Sequence, residues 1–299
     1  MARWWSGRSL TGSSYQTLLG VWPCEAGLDD AAYEDLLSRV DAYMRKALNE
    51  AKVHSSWVNT NEPYVAAVSD FIRAILRRDE DNRFLPDFLA FQQEITHYGA
   101  FNSLAQVLLK ITSPGVPDIY QGTELWDFSL VDPDNRRPVD YGLRRRLLDE
   151  VAAVTDPAGA AALMEARADG RIKLFVTSRA LTYRRDHADL FQASAYTPLV
   201  AQGRHAECSV AFARSAGDRQ VITVVPVLAA GLAKSGERIT PVGAVWSDTW
   251  LEVPGATAGQ AFRNLFTGEV VEAEERNGKA GLALEQVLAV FPGALLERI

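Results

Sequence analysis

The residues with the most chemistry in this chain lie in one stretch. It begins Ser113-Pro114-Gly115-Val116-Pro117-Asp118-Ile119-Tyr120-Gln121-Gly122-Thr123-Glu124, passes Trp126, and ends Asp132-Pro133-Asp134-Asn135-Arg136-Arg137-Pro138-Val139-Asp140-Tyr141. Carboxylates, amides, two guanidinium groups and aromatic rings crowd a loop that follows a Pro/Gly turn. A carboxylate and a guanidinium set side by side clamp vicinal hydroxyls, so the pattern suits a polyhydroxylated ligand. Asp134 and Arg136 are the leading contact residues. The alternative is that Arg136 pairs with Asp132 or Asp134 and only braces the loop. Gln121 and Glu124 are either rim contacts or braces. Trp126 is either a platform for a ring face or a core residue. Asp140 and Tyr141 read as the cap of the next helix.

Stepping outward, apolar positions recur at helical spacing over about 30–52, with Asp29 or Asp30 as cap, and again after Asn61, where Pro63 sits in the first turn. A third helical pattern runs over about 84–111 with a break expected near Gly99, and Pro114-Gly115 stops it. Residues 116–120 are short, apolar and β-prone, which predicts a buried strand. Helices over about 142–153 and 158–168 follow. From Arg171 the pattern becomes strand-like: 173–177, 191–196, 209–214, 220–226, 243–249, 261–264, 268–272, 282–284 and 287–292. Many short strands at even spacing predict an antiparallel β-sandwich.

Three segments result: 1–14, which shows no period and is expected to be disordered; 15–155, a helical region with one strand and the polar loop; and 156–299, a β-domain. Residues 1–14 read as a false start, of the kind a frameshift or a misplaced start codon leaves. A closed eight-stranded α/β barrel needs about 250 residues. Eight parallel strands cannot be written onto the 155 that precede the β-domain. The helical half is therefore either a small independent domain or the closing portion of a larger barrel, and the loop chemistry favours the second.

Composition narrows the function classes. With 299 residues, 47% hydrophobic and 23% charged, the chain has a globular make-up and room for two domains. A net charge of -7 argues against a nucleic-acid partner, which needs a dense basic surface. Cys24 and Cys208 lie far apart, as in a reducing compartment, and neither belongs to a paired motif. No apolar run reaches the ~18 residues of a membrane span, and no signal-peptide core opens the chain, so a cytoplasmic location with no membrane partner is expected. No metal or cofactor is expected. The Asp132-x-Asp134-Asn135 run fails as a calcium loop, because Arg137 and Leu143 stand where glycine and glutamate are needed. Glu94 and His97 lack a second such pair, and no Gly-x-Gly phosphate loop follows a strand.

The run from Lys110 to Asp127, with Leu130 to Tyr141, closely resembles maltooligosyl trehalose synthase, a branch of the α-amylase superfamily (glycoside hydrolase family 13). The resemblance extends to Tyr15-Gln16-Thr17-Leu18-Leu19-Gly20, Ala51-Lys52-Val53-His54-Ser55-Ser56-Trp57 and Tyr98-Gly99-Ala100-Phe101-Asn102-Ser103-Leu104-Ala105-Gln106, and to Phe262-Arg263-Asn264-Leu265-Phe266-Thr267-Gly268 and Val290-Phe291-Pro292. It covers about 15–299. It implies the closing part of an incomplete amylase-type (β/α)8 barrel followed by a C-terminal β-sandwich. It also implies a maltooligosaccharide or α-1,4-glucan as partner, and a reaction that turns the reducing-end α-1,4 linkage into an α,α-1,1 linkage. The family's catalytic carboxylates lie in motifs upstream of the Tyr15 segment. No such motif occurs here, so no catalytic residue is assigned, and a truncated chain inactive by itself is expected. The alternative is a non-catalytic, glucan-binding or degenerate fragment.

Overall fold

The computed structural model describes residues 7–24, 27–120, 122–233 and 237–299, with side chains from residue 12 onward. The chain forms two compact units, each discontinuous in sequence. One comprises 1–96 with 127–139, the other 97–126 with 140–299. This differs from the division expected at residue 155.

The first unit is helical. It holds α1 (Gly7–Val21), α2 (Asp30–Ala51), α3 (Glu62–Ile75) and the opening turns of α4 (Phe84–Thr112). Asp29 caps α2 by accepting the Ala32 N–H at 2.8 Å, and Asn61 caps α3 by accepting the Tyr64 N–H at 3.2 Å. The buried stripe of α2 (Leu36, Val40, Met44, Leu48) meets that of α3 (Val65, Val68, Ile72), and Trp22 packs edge-on against Tyr33 and Phe88. The expectation for 1–14 needs correction: helix α1 begins at Gly7, with Ser14 buried, and residues 1–6 lie outside the described region.

The second unit joins the rest of α4 to α5 (Tyr141–Ala152), α6 (Pro157–Glu165), α7 (Arg171–Asp186), α8 (Ala188–Gln192) and a short α9 (Leu284–Val287). Its strands are β1 (Ala195–Leu199), β2 (Ala201–Gln202), β3 (Ser209–Ala216), β4 (Arg219–Pro226), β5 (Trp250–Glu252), β6 (Ala261–Asn264), β7 (Val270–Glu272), β8 (Glu274–Arg276), β9 (Lys279–Ala283) and β10 (Ala294–Arg298). They form a six-stranded sheet ordered β1-β3-β4-β10-β6-β7 and a four-stranded sheet ordered β2-β5-β9-β8, with every pairing antiparallel. Ile222, Val224, Phe262 and Leu296 of the larger sheet share one core with Leu251 and Leu282 of the smaller, which is the expected sandwich. Asn277 and Gly278, both at positive φ, turn β8 into β9. Gly281 is needed where it stands, because a Cβ there would lie 2.3 Å from the Leu251 carbonyl oxygen.

Several strand expectations fail for a common reason. Residues 173–177 are helical, inside α7, where Ile172, Leu174, Phe175 and Val176 are all buried. An apolar run buried on every side carries no period that separates strand from helix. Residues 191–196 divide between α8 and β1, 243–249 form a 3-10 turn at Gly243–Trp246, and the last strand starts at Ala294 rather than 287. The break expected near Gly99 is absent, since α4 runs through it. The buried strand expected at 116–120 does not form, and Val116 is 95% exposed. No described strand lies beside it, and the described residues form no closed barrel.

Candidate functional site

The polar stretch falls into both units. In the first unit, residues 127–139 form a loop that α2 holds down. Arg39 of α2 donates from Nε and Nη2 to the two carboxylate oxygens of Asp134, at 2.9 and 3.0 Å, and from Nη2 to the Phe128 carbonyl at 2.6 Å. The Leu130 N–H also donates to Asp134, at 2.6 Å, and Lys46 donates to the Asp132 carbonyl. Burial alone would push the Asp134 carboxyl up. The hydrogen bonds from Arg39 and Leu130, with the charges of Arg39 and Arg137, outweigh that and hold it below the ordinary 3.8.

Asp134 and Arg136 therefore do not act on the same space. The Asp134 side chain is only 12% exposed and its oxygens are committed to the fold. Arg136 is 75% exposed and pairs with Asp132, whose side chain is 46% exposed. The Asp132–Arg136 pair is the bracing alternative read from the sequence. Arg136 ends a short 3-10 turn, Asp134–Arg136, that Asp134 fastens, and Asp132 lies just before it.

In the second unit, Glu124 accepts from the Gly122 N–H at 3.0 Å and from Arg144 Nε of α5 at 3.1 Å. Arg144 also donates to the Gly122 carbonyl at 2.7 Å. Glu124 thus braces the turn at Gly122, and its partner Arg144 opens the basic run Arg144-Arg145-Arg146, which reads from sequence as a solvated helix face or a salt-bridging one. Asp140 caps α5 through the Leu143 N–H at 2.8 Å, as expected. Trp126 donates from Nε1 to the Arg167 carbonyl at 2.7 Å, packs against the larger core and lies 5.7 Å from the Lys173 ammonium. It is half-buried and serves packing. Gln121 lies outside the described residues.

Sequence reasoning missed the residues that hold these segments. His97 uses both ring nitrogens: Nε2 donates to the Ile239 carbonyl at 2.8 Å, and Nδ1 accepts from Arg167 Nη2 at 3.1 Å. Burial lowers its pKa, only partly countered by the Ile239 bond. The C-terminal carbonyls of α4 are met by two arginines. Arg184 donates to Ile111 and Gly115, and buried Arg214 donates to Thr112 at 3.2 Å and to Phe191 at 2.7 Å. Cations at a helix C-terminus oppose its dipole. The partners Arg39 and Asp134 are 95 residues apart, and Arg214 and Thr112 are 102 apart, so no local spacing announces either pair.

Chemically, five of the loop carboxylates are occupied. Asp132 and Glu124 pair with arginines, Asp134 with Arg39, and Asp140 and Asp127 accept backbone N–H groups, Asp127 from Ser129 at 2.9 Å.

Comparison with known proteins gives a consistent result. The chain is 37% identical over 210 residues to a protein of Mycobacterium tuberculosis that carries the name maltooligosyl trehalose synthase. The match takes in 70% of this chain and 24% of that protein. The solved maltooligosyltrehalose synthase from Arthrobacter ramosus superposes over 98% of this chain and 32% of its own, at a TM-score of 0.74 and 30% identity. A Sulfolobus tokodaii structure described as a hypothetical maltooligosyl trehalose synthase covers 97% of this chain and 32% of its own, at a TM-score of 0.66 and 28% identity. The chain spans about a quarter of the length of the curated relatives it matches and about a third of the solved ones. No family model matches it. Among the described residues no helix is long and apolar enough to cross a membrane.

Proposed function

We propose that this chain, a member of the maltooligosyl trehalose synthase family that carries its C-terminal portion, presents a loop to a maltooligosaccharide and does not by itself rearrange the sugar. The observation that carries the reading is the match of nearly the whole chain to about a third of a solved enzyme of that name. The rearrangement is a retaining transfer. One carboxylate attacks the anomeric carbon, and a second protonates the leaving oxygen, then deprotonates the acceptor; the two stand ~5–5.5 Å apart. The acceptor is the anomeric hydroxyl of the released glucose rather than water, so water must be kept out while that glucose turns in place. Glu124, Asp127, Asp132, Asp134 and Asp140 each have another partner, so they suit gripping and bracing rather than attack.

In this reading Arg136 and Asp132 grip sugar hydroxyls, and Asp134 holds the turn that presents them. Glu124 and Trp126 fix the backbone on either side of Leu125, and Gln121 remains a rim candidate. Isothermal titration of maltoheptaose into the purified chain tests the grip. Weak saturable binding is expected, with Arg136→Ala lowering the affinity roughly fivefold, the equivalent of ~1 kcal/mol, while the melting temperature stays where it was. Binding that ignores Arg136→Ala, or none at all, would remove the grip from the account.

A further inference from the structure

The connection between α2 and α3 holds a tryptophan in the open. Lys52, at φ 55°, ends α2 in the left-handed region, and residues 53–61 lead on to α3. Ser55 is the buried centre of this connection. Its Oγ donates to Asn49 Oδ1 of α2 at 2.6 Å and accepts the Asn61 N–H at 3.1 Å. The Ser56 N–H donates to the Asn59 carbonyl at 3.2 Å, the Asn59 N–H donates to Ser56 Oγ at 3.0 Å, and Thr60 Oγ1 donates to the Ser56 carbonyl at 3.1 Å. His54 leans on Tyr64 of α3, with ring centroids 5.0 Å apart. The tip of this braced turn is Trp57-Val58, 61% and 99% exposed. Tryptophan is on average a highly buried residue. A fixed backbone that keeps one out offers apolar area to a ligand with little left to order on binding.

Two further observations choose the occupant. The first is the chemistry of the rim. Between Val53 and Asn61 the only ionisable side chain is His54, and the polar remainder is hydroxyls and amides: Ser55, Ser56, Asn59, Thr60 and Asn61. An aromatic face with a neutral, hydrogen-bonding rim matches a ligand that is neutral, hydroxylated at its edges and apolar on its ring faces, which describes a glucosyl chain. The second is position. Lys46 holds the Asp132 carbonyl and Asn49 holds Ser55. Residues three apart on a helix are surface neighbours, ~5–6 Å between Cβ atoms, so the 127–139 loop and the 53–61 turn leave α2 side by side within one compact unit. We infer that Trp57, with Asn59 at its edge, is a second contact for the maltooligosaccharide that the Asp132–Arg136 pair grips, and that it makes binding depend on the length of the glucan. The inference rests on the grip reading above. A short sugar reaches one contact; a longer one reaches both, and the second contact is then intramolecular.

The test is isothermal titration of maltotriose and of maltoheptaose into the full chain and its Trp57→Ala variant, with the Trp57 indole N–H followed by NMR in the unsubstituted chain. Trp57→Ala should weaken maltoheptaose roughly fivefold and maltotriose by less than about twofold, with the melt unmoved because the ring is exposed. Trp57→Phe, which keeps a smaller stacking face, should fall between the two. The indole signal, assigned by its loss in Trp57→Phe, should shift as maltoheptaose saturates the chain. If Trp57→Ala melts lower, the indole shift and Trp57→Phe decide. The inference is overturned if Trp57→Ala leaves maltoheptaose affinity within about twofold, if the indole signal stays put, if neither sugar binds saturably, or if the ring instead mediates a self-association that sugar does not displace. The two readings fail separately. A silent Arg136→Ala beside a Trp57→Ala that weakens maltoheptaose removes the grip and keeps the Trp57 contact. The reverse pattern keeps the grip and removes the Trp57 contact.

Discussion

Replacing Arg39 with Met tests whether α2 is what positions the 127–139 loop. The substitution removes two charge-assisted hydrogen bonds to Asp134, at 2.9 and 3.0 Å, and one to the Phe128 carbonyl at 2.6 Å. Breaking a fully buried pair by deleting one partner costs ~3–5 kcal/mol. Here the two side chains are 14% and 12% exposed and Asp134 keeps Leu130 and Arg137, so about 2–3 kcal/mol is expected. The loss is local, so the assay is hydrogen exchange at the Leu130 amide, which Asp134 accepts. At about 1.4 kcal/mol per decade, exchange should quicken roughly 30- to 150-fold. The pH dependence follows from the sign of the shift. The folded-state pKa of Asp134 is depressed, so its contribution is present above the unfolded value near 3.8 and is lost as pH falls through the lower folded value. The gap between wild type and Arg39→Met should hold from neutral pH down to that region and close below it. Exchange at Leu130 that stays within about twofold of wild type, or a gap that persists once the carboxyl is protonated, would refute the reasoning.

Arg214 is 2% exposed and donates to three partners around the end of α4 and α8; Arg214→Met should cost ~2–4 kcal/mol in urea unfolding, and a loss under ~0.5 kcal/mol would contradict its capping role. The His97 imidazole should titrate below its ordinary 6.5 by NMR, because burial disfavours the charged ring; its share of stability is then present above 6.5 and drains away as pH falls through the folded value, and a midpoint at or above 6.5 would be inconsistent with the packing. Trp126→Phe should remove about 1 kcal/mol of stability with the Arg167 bond yet leave maltoheptaose affinity alone; a large affinity loss at unchanged stability would restore Trp126 as a sugar platform.

The sequence was most readable where local chemistry decides the structure. Asp29, Asn61 and Asp140 cap the helices they precede. It was least readable where burial is complete. The run around Phe175 reads equally as strand or helix, and only the helix-packed core chooses. Asn277-Gly278 is a hairpin signal that stands in the sequence unused, and it would have located β8 and β9. Within the candidate site the residue types were legible and their pairing was not. Asp134 was chosen for contact with a ligand and turns out to be held by Arg39, a residue of another helix. Residues 116–120 keep an alternating exposure and pair with no described strand, because periodicity is written in the segment while pairing depends on residues distant in sequence.

The central claim is that this chain handles a maltooligosaccharide without supplying the carboxylate pair that moves the glycosidic bond. Incubation of the purified chain with maltopentaose, scored for loss of reducing ends, addresses it directly. No loss of reducing ends is expected from the chain alone. Steady loss of reducing ends catalysed by the isolated chain would contradict it.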